Sequence, residues 1–543
     1  MESTHSTENL QLLSLFLLVA VALFAGLARR LRVPYPILLV VGGLLLSLIP
    51  RMPQVPLKPD LVFTIFLPPL LYAAAWQTNW RDFKRNLLPI SMLAIGLVGF
   101  TVLGVAFFAD RFIPELDFRS GFLLGAVVAA TDAIAATSIA SSLGLAPRTV
   151  AILSGESLVN DATALLALEL GLALLLGQKV PTVGEGALRL LWLMAGGAGC
   201  GLLLGKVVVV VERWVDESAL EMVLSLVVPY VAYLAAEQMH ASGVIAVVAC
   251  GLYLSRKSVQ YLTAQARLEI LAGWHALDFI LNGVVFLLIG LQLREILQGI
   301  RHDSFGTLVE YAVGFTALLV ALRMLWVFAG GWVSYWIREY VLKHKSPTPS
   351  NKDIFIIGWA GMRGVVALAA AYSLPASEEF PQRNLIIFLT FAVILITLVG
   401  QGLSLPALIR KLKLSGDREG ELEELDARCR LLSAAIRELG ARMETAGETE
   451  QHDLEDVLHR YEHRREALNA RQRHLRSTEP LEADDEDLRH AWRAQLARET
   501  VAIERAELLK LRNEGWVGDD VLRVLQRELD LSETRYANRE FRA

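Results

Sequence analysis

The chain has 543 residues, 54% of them hydrophobic, with a net charge of −5 and three cysteines. That apolar fraction exceeds what an ordinary soluble domain carries. The small acidic charge, with no basic stripe in the polar part, excludes a nucleic-acid binder. Cys200, Cys250 and Cys429 are too few and too scattered for a disulfide framework or a metal site, and they read as inert thiols.

The apolar excess ends near residue 410, so a membrane part (1–410) precedes a polar part (411–543). A spanning helix needs ~20 mostly apolar residues, and about thirteen segments qualify. In order they run Leu10–Ala28, Tyr35–Leu48, Asp60–Trp76, Leu87–Ala109, Ser120–Leu143, Thr149–Leu176 and Ala187–Val211. Leu220–Ala236, Ser242–Leu254, Leu268–Leu291, Thr307–Tyr335, Ile354–Tyr372 and Asn384–Leu405 follow. A signal-peptide reading of the first is weak, because no Lys or Arg precedes it. Its basic flank, Arg29, Arg30 and Arg32, comes afterwards, which places the N-terminus outside. Alternate loops carry Arg81, Lys84, Arg85; Arg256, Lys257; Arg338, Lys343; and Arg410, Lys411, so the polar tail falls in the cytoplasm. The fold class expected is an all-α polytopic membrane protein with a cytoplasmic helical domain.

Charges inside a span cost about 2.5–3.5 kcal/mol each on insertion scales. Asp132, Glu156, Asp161 and Arg363 nevertheless lie well inside apolar segments, the pattern of an ion or proton path. At ~100° per residue, Glu156, Ser157, Asn160 and Asp161 span roughly 140° of one helix face. Two carboxylates, an amide and a hydroxyl suit a hard cation, which takes oxygen ligands. Ser and Asn can also act as glue between membrane helices, but glue seldom needs two carboxylates this close. The stretch Ala129–Ser138 interrupts an apolar span at Thr131-Asp132, where both residue types disfavour a helix interior. Gly358–Val366 sets three glycines around Arg363, which permits a second break. Arg363 is expected to pair with Glu156, leaving Asp161 to titrate; the alternative is that it neutralises helix-end carbonyls. Glu169, His275, Asp278, Glu310 and Arg323 also lie in or near spans and receive no transport role. Phe66-Leu67-Pro68-Pro69-Leu70 marks a kinked third span.

At Thr131-Asp132, Gly155-Glu156-Ser157 with Asn160-Asp161, and Gly361-Met362-Arg363-Gly364, the chain resembles bacterial sodium/proton antiporters of the NhaP type, relatives of the animal NHE exchangers. The resemblance covers the membrane part and extends to Leu511–Leu531 of the tail. It implies thirteen spans with inverted repeats, a homodimer in the bacterial inner membrane, and elevator-like motion of a core domain against a dimer domain. It implies Asp161 as the ion- and proton-binding carboxylate, with Ser157, Asp132 and the main chain near Thr131 helping to hold the cation. Glu156 and Arg363 become a stabilising pair to which Asn160 is bonded. The Asn160-Asp161 pair resembles the electroneutral branch, where electrogenic relatives carry two aspartates. Monovalent cations and protons would be the substrates, with no cofactor; sodium is expected, with lithium or potassium as alternatives.

The tail repeats Leu422, Leu425, Cys429 and Leu432 at helical spacing, and Leu508, Leu509 and Leu511 further on. A break at Ser477–Pro480 and acidic Glu482–Asp487 divides it. Half of the ten histidines lie here (His452, His459, His463, His474, His490), which suits either regulation by pH or ligand or a plain solvated scaffold. The competing function is a non-transporting membrane sensor signalling through this tail. No HExxH site or nucleophile–base pair supports an enzyme, and no P-loop supports nucleotide binding.

Overall fold

The computed structural model describes residues 2–50, 57–177, 182–215, 217–300, 304–341, 343, 350–414, 418–445, 447–476 and short stretches between 495 and 532. It divides into two compact units, Met1–Asp417 and Arg418–Ala543. Among the described residues every regular element is helical.

In the first unit, α1 (Glu2–Leu31) and α2 (Tyr35–Ser47) lead to α3 (Pro59–Leu61), a π-helical turn at Val62–Phe66 and α4 (Leu67–Gln77). The π turn precedes Pro68 and Pro69 in the first turn of α4. Proline lacks the N–H and crowds the carbonyl four residues back, so regular α-helical bonding gives way to the π turn at this point of the third span. Next come α5 (Trp80–Arg85), α6 (Leu87–Ser91), a π segment at Met92–Leu97, α7 (Val98–Phe112), α8 (Phe118–Ala129), α9 (Ile134–Ser142) and α10 (Pro147–Leu175). The chain continues through α11 (Val183–Glu212), α12 (Ser218–Gln238), α13 (Gly243–Tyr261), α14 (Ala264–Leu291) and α15 (Leu293–Gly299). It closes with α16 (Phe305–Trp336), a π end at Ile337–Val341, α17 (Asn351–Trp359), α18 (Val365–Tyr372), α19 (Arg383–Ile396), a π segment at Thr397–Gln401 and α20 (Gly402–Leu412).

Each expected span falls on a helix or on consecutive helices of this series. Among the described residues, ten stretches are long and apolar enough to cross a membrane. Three expected spans fall outside that set for readable reasons. α2 is shorter, at Tyr35–Ser47; α13 carries Arg256 and Lys257; and α17 and α18 are separate helices of 9 and 8 residues.

Close backbone approach organises the packing. A Cβ added at Gly290 in α14 would run into the Val40 carbonyl of α2, and one at Gly43 into the Leu287 carbonyl of α14. A Cβ at Gly125 in α8 would meet the backbone of Val102 in α7. Small residues thus let helices touch where no hydrophobic force separates protein from lipid.

In the second unit, α21 (Arg418–Met443) and α22 (Glu448–Arg476) pack together. α21 buries Leu425, Cys429 and Leu432, and Arg471 reaches Glu421 at 2.7 Å. His452, His459 and His463 are exposed on α22. The expected break at 477–480, the acidic run at 482–487, Leu509 and His490 lie outside the described residues.

Gly290→Val should lower thermal stability in detergent by ~1–3 kcal/mol, because backbone cannot yield as a side chain can. Gly199→Ala, where a Cβ meets nothing within 4 Å, should leave the melting midpoint unchanged.

Candidate ion-binding centre

Two helices break at the same place. Residues 130–133 run extended between α8 and α9, and residues 361–364 between α17 and α18. The Asp132 N–H donates to the Met362 carbonyl at 2.9 Å, joining the two breaks backbone to backbone. Breaks of this kind are tolerated at membrane depth only where protein or a cavity satisfies the freed groups. Gly364 is required here, since a Cβ would overlap the Asp132 carboxylate.

Three of the four helix ends so created are met by complementary charge. Asp132 Oδ1 accepts from the Ile134 N–H at 2.8 Å, capping the positive end of α9. The Arg363 guanidinium donates to the Ala129 carbonyl at 3.3 Å, at the negative end of α8. Arg323, from α16, donates to the carbonyls of Gly358 and Ile357, each at 3.0 Å, at the negative end of α17. Charges in such positions stabilise helix termini by typically 0.3–1 kcal/mol, and more where partly buried.

Arg323 also meets Glu156 with both terminal nitrogens, at 2.5 and 2.9 Å, while the two side chains stay 2% and 3% exposed. This corrects the sequence expectation. Arg363 is not the partner of Glu156; it takes the helix-end role that stood as the alternative. Glu156 further accepts from Thr131 Oγ1 at 2.9 Å. The Asn160 amide donates to Thr131, at 2.5 Å to Oγ1 and 3.3 Å to the carbonyl. Asn160 therefore joins the network through Thr131 and not by bonding an arginine pair. Its buried Oδ1 has no partner among the described residues.

On the open side, α10 presents Ser157 and Asp161 to a cavity of about 640 Å³, whose wall also includes Thr131 and Asp132. Ser157 Oγ accepts from the Ala133 N–H at 3.3 Å, fixing α10 against the break. Asp161 is buried, faces this cavity, and has no basic partner among the described residues. The four oxygen-bearing residues expected to share a cation are thus brought together, while Glu156, Asn160 and Arg363 pack behind them.

No role was expected for Arg323, Asp278 or Tyr35. Asp278 and Tyr35 line the same cavity from α14 and α2, and Asn282 donates to Asp278 at 2.9 Å. A charged residue within the 36-residue apolar stretch Gly306–Val341 was the available signal for Arg323. Glu169 lies toward the surface with Arg189 at 3.8 Å and takes no part.

The sodium/hydrogen exchanger transmembrane family profile matches residues 17–411. The chain is 33% identical over 529 residues to the uncharacterized Na(+)/H(+) exchanger Rv2287 of Mycobacterium tuberculosis, covering 96% of this chain and 95% of the relative. It is 33% identical over 440 residues to the Na(+)/H(+) antiporter ApNhaP of Aphanothece halophytica, covering 80% and 81%. Its fold is similar to that of the sodium proton antiporter MjNhaP1 from Methanocaldococcus jannaschii, with a TM-score of 0.57 at 22% identity, over 76% of this chain and 99% of that one.

Arg323→Ala should destabilise the protein by about 3–5 kcal/mol, since it strands Glu156 buried and unpaired. Arg363→Ala should lower the melting midpoint less. In double-mutant cycles with Glu156→Gln, Arg323, which makes the direct ion pair, should couple more strongly than Arg363.

Proposed function

The chain belongs to the sodium/hydrogen exchanger family, a family of secondary transporters and not enzymes, and from that premise we propose that it exchanges sodium for protons at one carboxylate, Asp161. The observation that carries the proposal is an asymmetry between two neighbouring acids. Glu156 is saturated by Arg323 and Thr131, whereas Asp161 faces an open cavity beside Asp132, Ser157 and Thr131.

The chemistry follows from that asymmetry. An ionised Asp161 offers a hard oxygen ligand to a sodium ion, and Ser157, Asp132 and Thr131 supply neighbouring oxygens. Protonation removes the charge that attracts the ion, so proton and sodium exclude each other. A buried, unpaired carboxylate is unfavourable among apolar helices. The centre therefore changes its facing only when sodium or a proton neutralises it, which couples the two fluxes. The crossed helix breaks supply fixed dipoles that hold the cavity wall while one occupant replaces the other.

One titrating carboxylate implies one sodium per proton and no net charge moved. Alternating access in a homodimer, with a core domain moving against a dimer domain, is the motion this mechanism requires. The polar unit 411–543 lies on the cytoplasmic side of the inner membrane in this reading. Exchange against a sodium gradient would serve pH and sodium homeostasis. The sensor alternative finds no support in the family assignment.

In proteoliposomes, Asp161→Asn should abolish sodium-dependent proton flux. In the same vesicles wild-type exchange should run at one rate with and without an imposed membrane potential, and lithium and potassium in place of sodium will define selectivity. Robust flux in the variant would overturn the assignment of Asp161.

Exchange should also fall on acidification. Because the two ions compete, a tenfold rise in sodium should move the acid-side midpoint down by about one pH unit. A midpoint indifferent to sodium would show that they occupy separate sites.

A further inference from the structure

A second cavity, of about 920 Å³, opens on the face that carries α5. Five basic side chains converge on it: Arg81, Lys84 and Arg85 from α5, Arg256 from α13, and Arg338 from the π end of α16. No acidic residue lines it among the described residues. Asp82, the acid of α5, lines the ion cavity instead. The walls are tied together by hydrogen bonds. Arg338 Nη2 donates to the Arg85 carbonyl at 2.7 Å, and Ser255 Oγ donates to the Trp76 carbonyl at 2.6 Å. Trp80, Leu87 and Leu252 give the cavity an apolar side.

The positive-inside rule accounts for basic residues on this face. It does not require that residues from three separate segments, far apart in sequence, line one hollow. Like charges gathered around a concave, partly apolar wall repel one another and favour an anion that can sit among them. A basic hollow between membrane helices with an apolar side is the environment that holds an anionic headgroup.

We propose that this cavity binds a phosphate-bearing anion, with the headgroup of an anionic phospholipid as its occupant and free phosphate or pyrophosphate as the other source of the same chemistry. Arginine and lysine supply the charge and the donors for phosphate oxygens, and the Trp80 and leucine side receives the first part of the acyl chains.

Occupancy acts on transport through a shared wall. Thr78 and Asn79 line both this cavity and the ion cavity. The net positive charge of this lining, beside the ion cavity, lowers the local concentration of cations, and a bound anion offsets it. This second part rests on the antiporter reading. At alkaline pH, where proton competition is weak, the anion lowers the apparent KM for sodium and leaves kcat unchanged.

The binding test uses the full chain in neutral detergent. Dioctanoyl phosphatidylglycerol should raise the melting midpoint by several degrees over dioctanoyl phosphatidylcholine, and Lys84→Gln with Arg256→Gln should remove that difference. Arg111→Gln, a basic residue outside the cavity, should retain it. If inorganic pyrophosphate gives the same shift, the site reads phosphate alone; if only phosphatidylglycerol does, it reads the lipid. Equal midpoints in the two lipids, or a phosphatidylglycerol shift that survives the double variant, would overturn the proposal. The single variants serve if the double one does not fold. In proteoliposomes at alkaline pH, phosphatidylglycerol should lower the wild-type sodium KM about threefold, and the double variant in phosphatidylcholine alone should already show the lower value. A wild type that binds the lipid but exchanges no sodium would refute the antiporter reading and leave the anion site standing.

Discussion

Arg323 and Glu156 face each other through a two-pronged ion pair in a setting where both are almost fully buried. Two opposite charges taken out of water are tolerable only when the geometry is good and the remaining donors are satisfied. Both conditions hold. The other guanidinium contacts go to the Gly358 and Ile357 carbonyls, and Glu156 takes a further bond from Thr131. The pair fastens α10, α16 and the end of α17 to the first break. With Glu156 saturated, Asp161 is left as the carboxylate of α10 that faces the cavity.

The crossing of the two breaks depends on the same economy of charge and space. An interrupted helix exposes carbonyls at one end and N–H groups at the other. Here Arg323 and Arg363 lie on carbonyl ends and Asp132 on an N–H end. The approach is close enough that side chains are excluded at particular positions. A Cβ at Gly361 would overlap the Arg323 guanidinium, and one at Gly364 the Asp132 carboxylate. The Gly-Met-Arg-Gly run thus owes its glycines to space and its arginine to the exposed end of α8.

Much of this was readable in the chain. Apolar runs located the helices, because spanning a bilayer imposes a length and a composition that survive without knowledge of neighbours. Thr131-Asp132 and the Gly361–Gly364 stretch marked both interruptions, since these residue types act on the backbone locally. The spacing of Ser157 and Asp161 put them on one helix face, and both line one cavity. What failed was the partner of Glu156. Two arginines, Arg323 and Arg363, lie inside apolar segments, and the choice between them rests on how α16 packs against α10 and α17.

Composition and spacing along the chain suffice to establish a bundle of membrane helices, the places where two of them break, and the acids that lie inside spans. Those follow from covalent spacing and from the solvent each segment can tolerate. Packing alone settles which arginine neutralises Glu156, that Asn160 reaches it through Thr131, and that Asp278 and Tyr35 share a wall with Asp161. These are contacts between residues far apart in sequence, and their energies depend on distances that no spacing along one helix can specify.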